Sequence, residues 1–185
     1  MKKVARFLLC SASLAGLVAA QDAAKTSAPK PAKSTVSRGI LQPQMTVDTG
    51  SYEKPHGQLG TKPSAVWTAT TVGAAVEGKP NPGAKEATLV GEIVDFSCYL
   101  QIGKHGEKHR DCAQKCFRNN QPIGLMTKDG SLYMLMEEEH DPRRDGLTNF
   151  RQSAIDHAGH IMEVTGTLWT HPSGVKALYV QGFKK

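Results

Sequence analysis

The sequence predicts a mostly β protein with short helices: a five-stranded small barrel, closed or partly open, preceded by a signal peptide and a flexible spacer. Three observations carry that reading. Strand-length segments that are β-branched or alternating cluster after residue 85, turn signals separate consecutive pairs of them, and one helix-period segment stands before the fourth strand. Five short strands hide their edges only when the sheet curls on itself, which a small barrel achieves.

Residues 89–96 form the first strand and 122–127 the second. Lys128-Asp129-Gly130 then supplies an Asp-Gly turn before the third strand at 132–136, so the second and third strands should make a hairpin. Leu147, Phe150, Ala154 and Ala158 recur at three- and four-residue steps; Thr148 or Asn149 can cap this helix and Gly159 can end it. In 161–170, Met162, Val164, Gly166 and Leu168 share one face, opposite Glu163, Thr165 and Thr167. The fifth strand, 175–180, follows the turn His171-Pro172-Ser173-Gly174. Gly91 and Gly166 each lie early in a strand, where a bend lets the strand curl around a barrel.

Ahead of this domain, Lys2, Lys3 and Arg6 precede an apolar run at 7–17 and the small residues Val18-Ala19-Ala20. That order reads as a secretory signal peptide over 1–20 and implies a periplasmic or secreted protein. Cys10 lies inside the apolar run and leaves with it. The run is too short to span a bilayer and none follows, so no transmembrane segment is expected in the mature chain. Residues 21–85 are rich in Pro, Gly, Ala and Lys and read as the spacer, leaving 86–185 as the barrel domain. Within the spacer, Val66, Trp67, Val72 and Val76 leave three readings open: packing on the domain, disorder, or docking on a partner. The net charge of +6 resides in the signal and spacer rather than the domain, which argues against nucleic acid as a partner.

The chemistry-bearing segment is 98–116. Cleavage leaves three cysteines, Cys98, Cys112 and Cys116, an odd number in an oxidising compartment. Residues 109–117 lack Pro, Gly and β-branched side chains and read as a second short helix. At 100° per residue His109, Cys112 and Cys116 share a stripe about 60° wide, and Cys98 at the end of the first strand can approach as a fourth donor. Cys98, His109, Cys112 and Cys116 would complete a Cys3His transition-metal site, zinc first and copper as the alternative. Two other readings compete. Cys98 can form a disulfide with Cys112 or Cys116, or Cys112 can act as a redox thiol resolved by Cys116 or Cys98. His105 reads as a loop residue, His140 as part of an acidic loop, and His157 and His160 as helix-end histidines beside the dipole. Met126, Met134, Met136 and Met162 read as packing residues, and Asp95 as a turn or cap residue. G-x-S-x-G, H-E-x-x-H and Walker motifs are absent, so a non-enzymatic role is expected.

The segment Gly91-Glu92-Ile93-Val94-Asp95, the His109-x-x-Cys112-x-x-x-Cys116 spacing, the hairpin around Asp129-Gly130 and the stretch from Ala158-Gly159-His160 to Thr165-Gly166-Thr167 resemble small exported bacterial OB-like domains of unassigned function. The resemblance covers residues 88–182. It implies an OB-like barrel and an extracytoplasmic site, and it implies no activity; an accessory role beside a protein partner in an extracytoplasmic assembly is the context expected for the metal-binding reading. The helix at 109–117, between the first and second strands, is an addition to the plain OB order.

Overall fold

The structure, a computed structural model, describes residues 48–138 and 146–183. The signal peptide, spacer residues 21–47 and His140 lie outside the described residues. Strand β2 (Lys85–Asp95) organises the barrel because both of its edges are paired. It runs antiparallel to β3 (Ile123–Thr127), which turns through Asp129-Gly130 into antiparallel β4 (Leu132–Glu137). On its other edge lies β5 (Ile161–Thr170), also antiparallel. β6 (Lys176–Val180) closes the ring by pairing parallel to β4 and antiparallel to β5. The cyclic order β2-β3-β4-β6-β5 is a closed five-strand barrel with OB connectivity.

The two strand glycines sit where neighbouring backbones approach closely. A Cβ on Gly91 would stand 2.7 Å from the Met126 carbonyl, and one on Gly166 would run into the Tyr179 carbonyl. The interior is filled by Ile93, Leu125, Leu135, Val164, Leu178 and Val180. Helix α4 (Asn149–Asp156) plugs one end with Phe150, Ala154 and Ile155, and Thr148 caps it by accepting from the Arg151 N–H. The expected hairpin, capped helix and alternating fourth strand of the barrel, β5, are all present.

Three features differ from the sequence reading. Residues 48–85, expected as spacer, hydrogen-bond to the barrel: β1 (Gly57–Leu59) pairs parallel with β5, and Leu59 is buried. A three-residue strand is too short to show a periodicity, so its pairing has no sequence signal. Helix α1 (Ala69–Ala74) follows, capped by the Thr68 hydroxyl. Trp67 packs edge-on against Tyr179 at 5.2 Å, which answers the open question over 64–76 for that residue in favour of packing. Thr167, expected on the outer face, is fully buried because its hydroxyl donates to the Val66 carbonyl of this strap. Finally, β2 runs straight into an additional helix, α2 (Phe96–Ile102), before α3 (Arg110–Arg118). No described helix is long and apolar enough to cross a membrane.

Candidate functional site

The site forms where β2 leaves the barrel. Asp95 is the last residue of the strand and the N-cap of α2: its Oδ1 accepts the Ser97 and Cys98 N–H groups, both at 3.0 Å. A single carboxylate oxygen thus satisfies two of the orphan donors that begin any helix. Because no loop separates strand from helix, Cys98 stands one turn along from the cap and beside the same carboxylate.

Helix α3 supplies the other side. A 3-10 turn, Glu107–His109, delivers the chain into it, with the His109 N–H bonded to the Gly106 carbonyl at 2.9 Å. Ala113 and the fully buried Phe117 press α3 onto the barrel. Burial of an aromatic side chain of that size stabilises by about 1.5–3 kcal/mol, enough to fix which helix face turns inward. His109 lies on the buried side, Cys116 at its border, and Cys112, about 140° around the helix from Phe117, is exposed.

The ligand atoms of Asp95, Cys98 and His109 all lie within 4.8 Å of one another. Cys116 joins this group through the carboxylate, toward which its thiol hydrogen-bonds. Of the four residues expected from sequence, Cys98, His109 and Cys116 therefore converge, whereas Cys112 stays at the rim, within electrostatic range of both other thiols. All three cysteines are free thiols. Asp95, which the sequence offers as a turn or cap residue or as a base, is the cap and also a member of the cluster. Its spacing three residues before Cys98, the separation that puts two side chains on one helix face, is the sequence signal that could have found it.

The polar groups of this cluster are unevenly satisfied. Asp95 Oδ2 and His109 Nε2 are buried without a hydrogen-bond partner. Such orphans cost about 1–3 kcal/mol each when nothing else meets them. Burial by itself would raise the Asp95 pKa, but hydrogen bonds from the Cys116 thiol and from Cys98 outweigh it and hold the carboxyl below its ordinary range. The carboxylate in turn pushes the Cys116 thiol up to about 12, with burial adding to the effect. Burial, then Asp95, raises Cys98 as well. Two protonated thiols, a carboxylate and an imidazole nitrogen with no partner are a donor set that a divalent cation would complete, displacing the thiol protons as it binds.

The remaining candidates have ordinary surroundings. His105 lies 3.1 Å from the buried Glu92 carboxylate, which also accepts the Gly106 N–H and so pins the loop before α3. His171 bonds Ser173 inside its turn. Met162 packs in the core, while Met134 and Met136 line a groove beside Phe150. Comparison of the chain with protein-family models, curated proteins and solved structures finds no match.

Proposed function

We propose that this protein is an exported, non-enzymatic OB-like domain that binds a transition metal, zinc before copper, through Asp95, Cys98, His109 and Cys116. It would serve as an accessory component of a periplasmic or secreted assembly. The observation that carries the reading is the meeting of a buried carboxylate, two thiols and a buried imidazole whose free polar atoms have no other partner. Zinc accepts this mixture of sulfur, nitrogen and oxygen donors and closes it tetrahedrally. Copper(I) would prefer thioether and thiolate donors, and the strand methionines are not among the clustered donors: Met162 packs in the core, and Met134 and Met136 line a groove beside Phe150. Export rests on the signal-like N-terminus and on the family resemblance, and the assembly belongs to the metal-binding reading itself.

The thiol-redox alternative retains one supporting observation, the exposed Cys112 in the first turn of α3. Against it, Asp95 pushes the Cys116 thiol up to about 12, and burial, then Asp95, raises Cys98, which disfavours the thiolate that exchange requires. Native mass spectrometry of the mature protein separates the two. One zinc per chain is expected in the wild type and in Cys112→Ser, and none in Cys98→Ser, Cys116→Ser or His109→Ala. A metal-free wild type, or loss of metal in Cys112→Ser alone, would sink this ligand set.

A further inference from the structure

A second cluster lies beside the start of α3, where Arg110 contacts His160. His56 precedes β1, while His157 and His160 bracket the turn that ends α4. Their ligand nitrogens all lie within 4.8 Å of one another. The backbone builds this meeting from three elements: the His56 N–H donates to the Ile161 carbonyl at 2.8 Å, the Ile161 N–H to Thr49 at 2.8 Å, and the His160 carbonyl accepts from Ile93 at 2.9 Å. The rings of His56 and His160 lie 4.2 Å apart between centroids, tilted by 45°, and His157 sits 5.7 Å from His56. His56 is exposed, His157 half-buried and His160 buried, so the cluster opens to solvent on one side.

We propose that His56, His157 and His160 form a second metal site, for a divalent ion of the nickel or zinc type, with nitrogen donors only and open coordination positions facing solvent. The Nδ1 atoms of His157 and His160 are 3.3 Å apart. Two nitrogens bound at about 2.0–2.1 Å to one tetrahedral ion stand roughly 3.3–3.4 Å apart, so the pair already has the bite of a metal chelate. Imidazole triads of this kind suit zinc, nickel and copper, and the absence of sulfur separates this site from the thiol cluster in metal preference. Asp48 acts on His160 as the nearby negative charge, in the sense that favours a cation.

Arg110 regulates access. Its Nη1 contacts His160 Nε2, and because a guanidinium can only donate, Nε2 must be the accepting nitrogen. Neutral His160 then carries its proton on Nδ1 and donates it to His157 Nδ1. For Nδ1 to bind a metal, that proton must go, Nε2 must take one up and Arg110 must let go. The guanidinium, also anchored on the Asp156 carbonyl at 2.8 Å, is thus a competitor built into the site.

The test uses the full mature protein carrying one equivalent of zinc, labelled in its imidazole nitrogens and titrated with Ni²⁺ while line broadening is followed. His56, His157 and His160 should broaden at nickel concentrations that leave His105 and His171 sharp. His56→Ala, a change at an exposed position, should raise the midpoint more than about tenfold. Arg110→Met should lower it. With excess zinc in place of nickel, His160 should switch from the Nδ1–H to the Nε2–H tautomer. Broadening of His171 at the same concentration, or an unchanged midpoint in His56→Ala, would overturn the site; an unchanged midpoint in Arg110→Met would overturn the competition.

Discussion

The thiol cluster beneath α2 and the histidine cluster beside β1 each draw one residue from the start of α3: His109 goes to the first and Arg110 to the second. They differ in what their polar atoms lack. In the thiol cluster Asp95 Oδ2 and His109 Nε2 are buried without hydrogen-bond partners, whereas both nitrogens of His160 are already engaged, by Arg110 and His157. A group left unsatisfied in the interior makes the fold depend on whatever completes it, while a group already satisfied makes a ligand an option. The same helix turn therefore serves one region where metal would belong to folding and another where metal would come and go.

The largest expected effect follows from that contrast. Stripping metal from the mature protein with a strong chelator should lower its unfolding temperature by about 10 °C or more, because a structural site adds its binding energy to the folded state. His56→Ala should shift stability by no more than about 0.5 kcal/mol, as an exposed position outside the core. A chelator-insensitive melt, or a large loss in His56→Ala, would erase the distinction between the two regions.

A smaller effect sharpens the role of Asp95. Asp95→Asn keeps a side-chain oxygen for the Ser97 and Cys98 N–H groups, and Asn is about as good an N-cap as Asp. It should melt like wild type when both are metal-free, yet bind metal at least about tenfold more weakly. Asp95→Ala should also lose the cap, at a cost of about 1 kcal/mol. Unchanged metal affinity in Asp95→Asn would reduce Asp95 to a cap.

The smallest effect is a pH dependence of the metal-free protein. The Cys116 pKa is raised in the fold from 9.0 to about 12, so the folded chain holds this proton more tightly than the unfolded one. Its stabilising contribution is complete below pH 9 and is lost as pH rises toward 12. Denaturant midpoints of the metal-free protein should fall across that window, less steeply in Cys116→Ser. Metal binding should run the other way and tighten as pH rises, since it must expel the thiol protons. A metal-free protein with a flat profile from pH 9 to 12 would show that Asp95 does not hold the Cys116 proton.

Much of the barrel was legible because its signals are local. The Asp-Gly turn, the Thr148 cap and the alternation from Met162 to Gly166 each act within a few residues, and each is found where it was expected. The helix expected over 109–117 is found as α3, with His109 in the 3-10 turn that leads into it, and the side that His109 and Cys116 share follows from spacing alone. What spacing could not decide is which part of that stripe turns inward. Ala113 and Phe117 decide it by packing on the barrel, and the choice leaves Cys112 outside.

The sequence by itself determined the closed β architecture, the hairpin, the capped helix and three of the members of the thiol cluster, because periodicity, turn chemistry and helical spacing are short-range properties. Only the tertiary structure decided that Asp95 is both cap and cluster member, since that requires β2 to run directly into α2 with its last carboxylate buried. Only tertiary structure brought His56 to His157 and His160, through the parallel pairing of β1 with β5. Contacts between residues a hundred positions apart leave no period in the chain, and they exist only once the core has set the register of the strands that carry them.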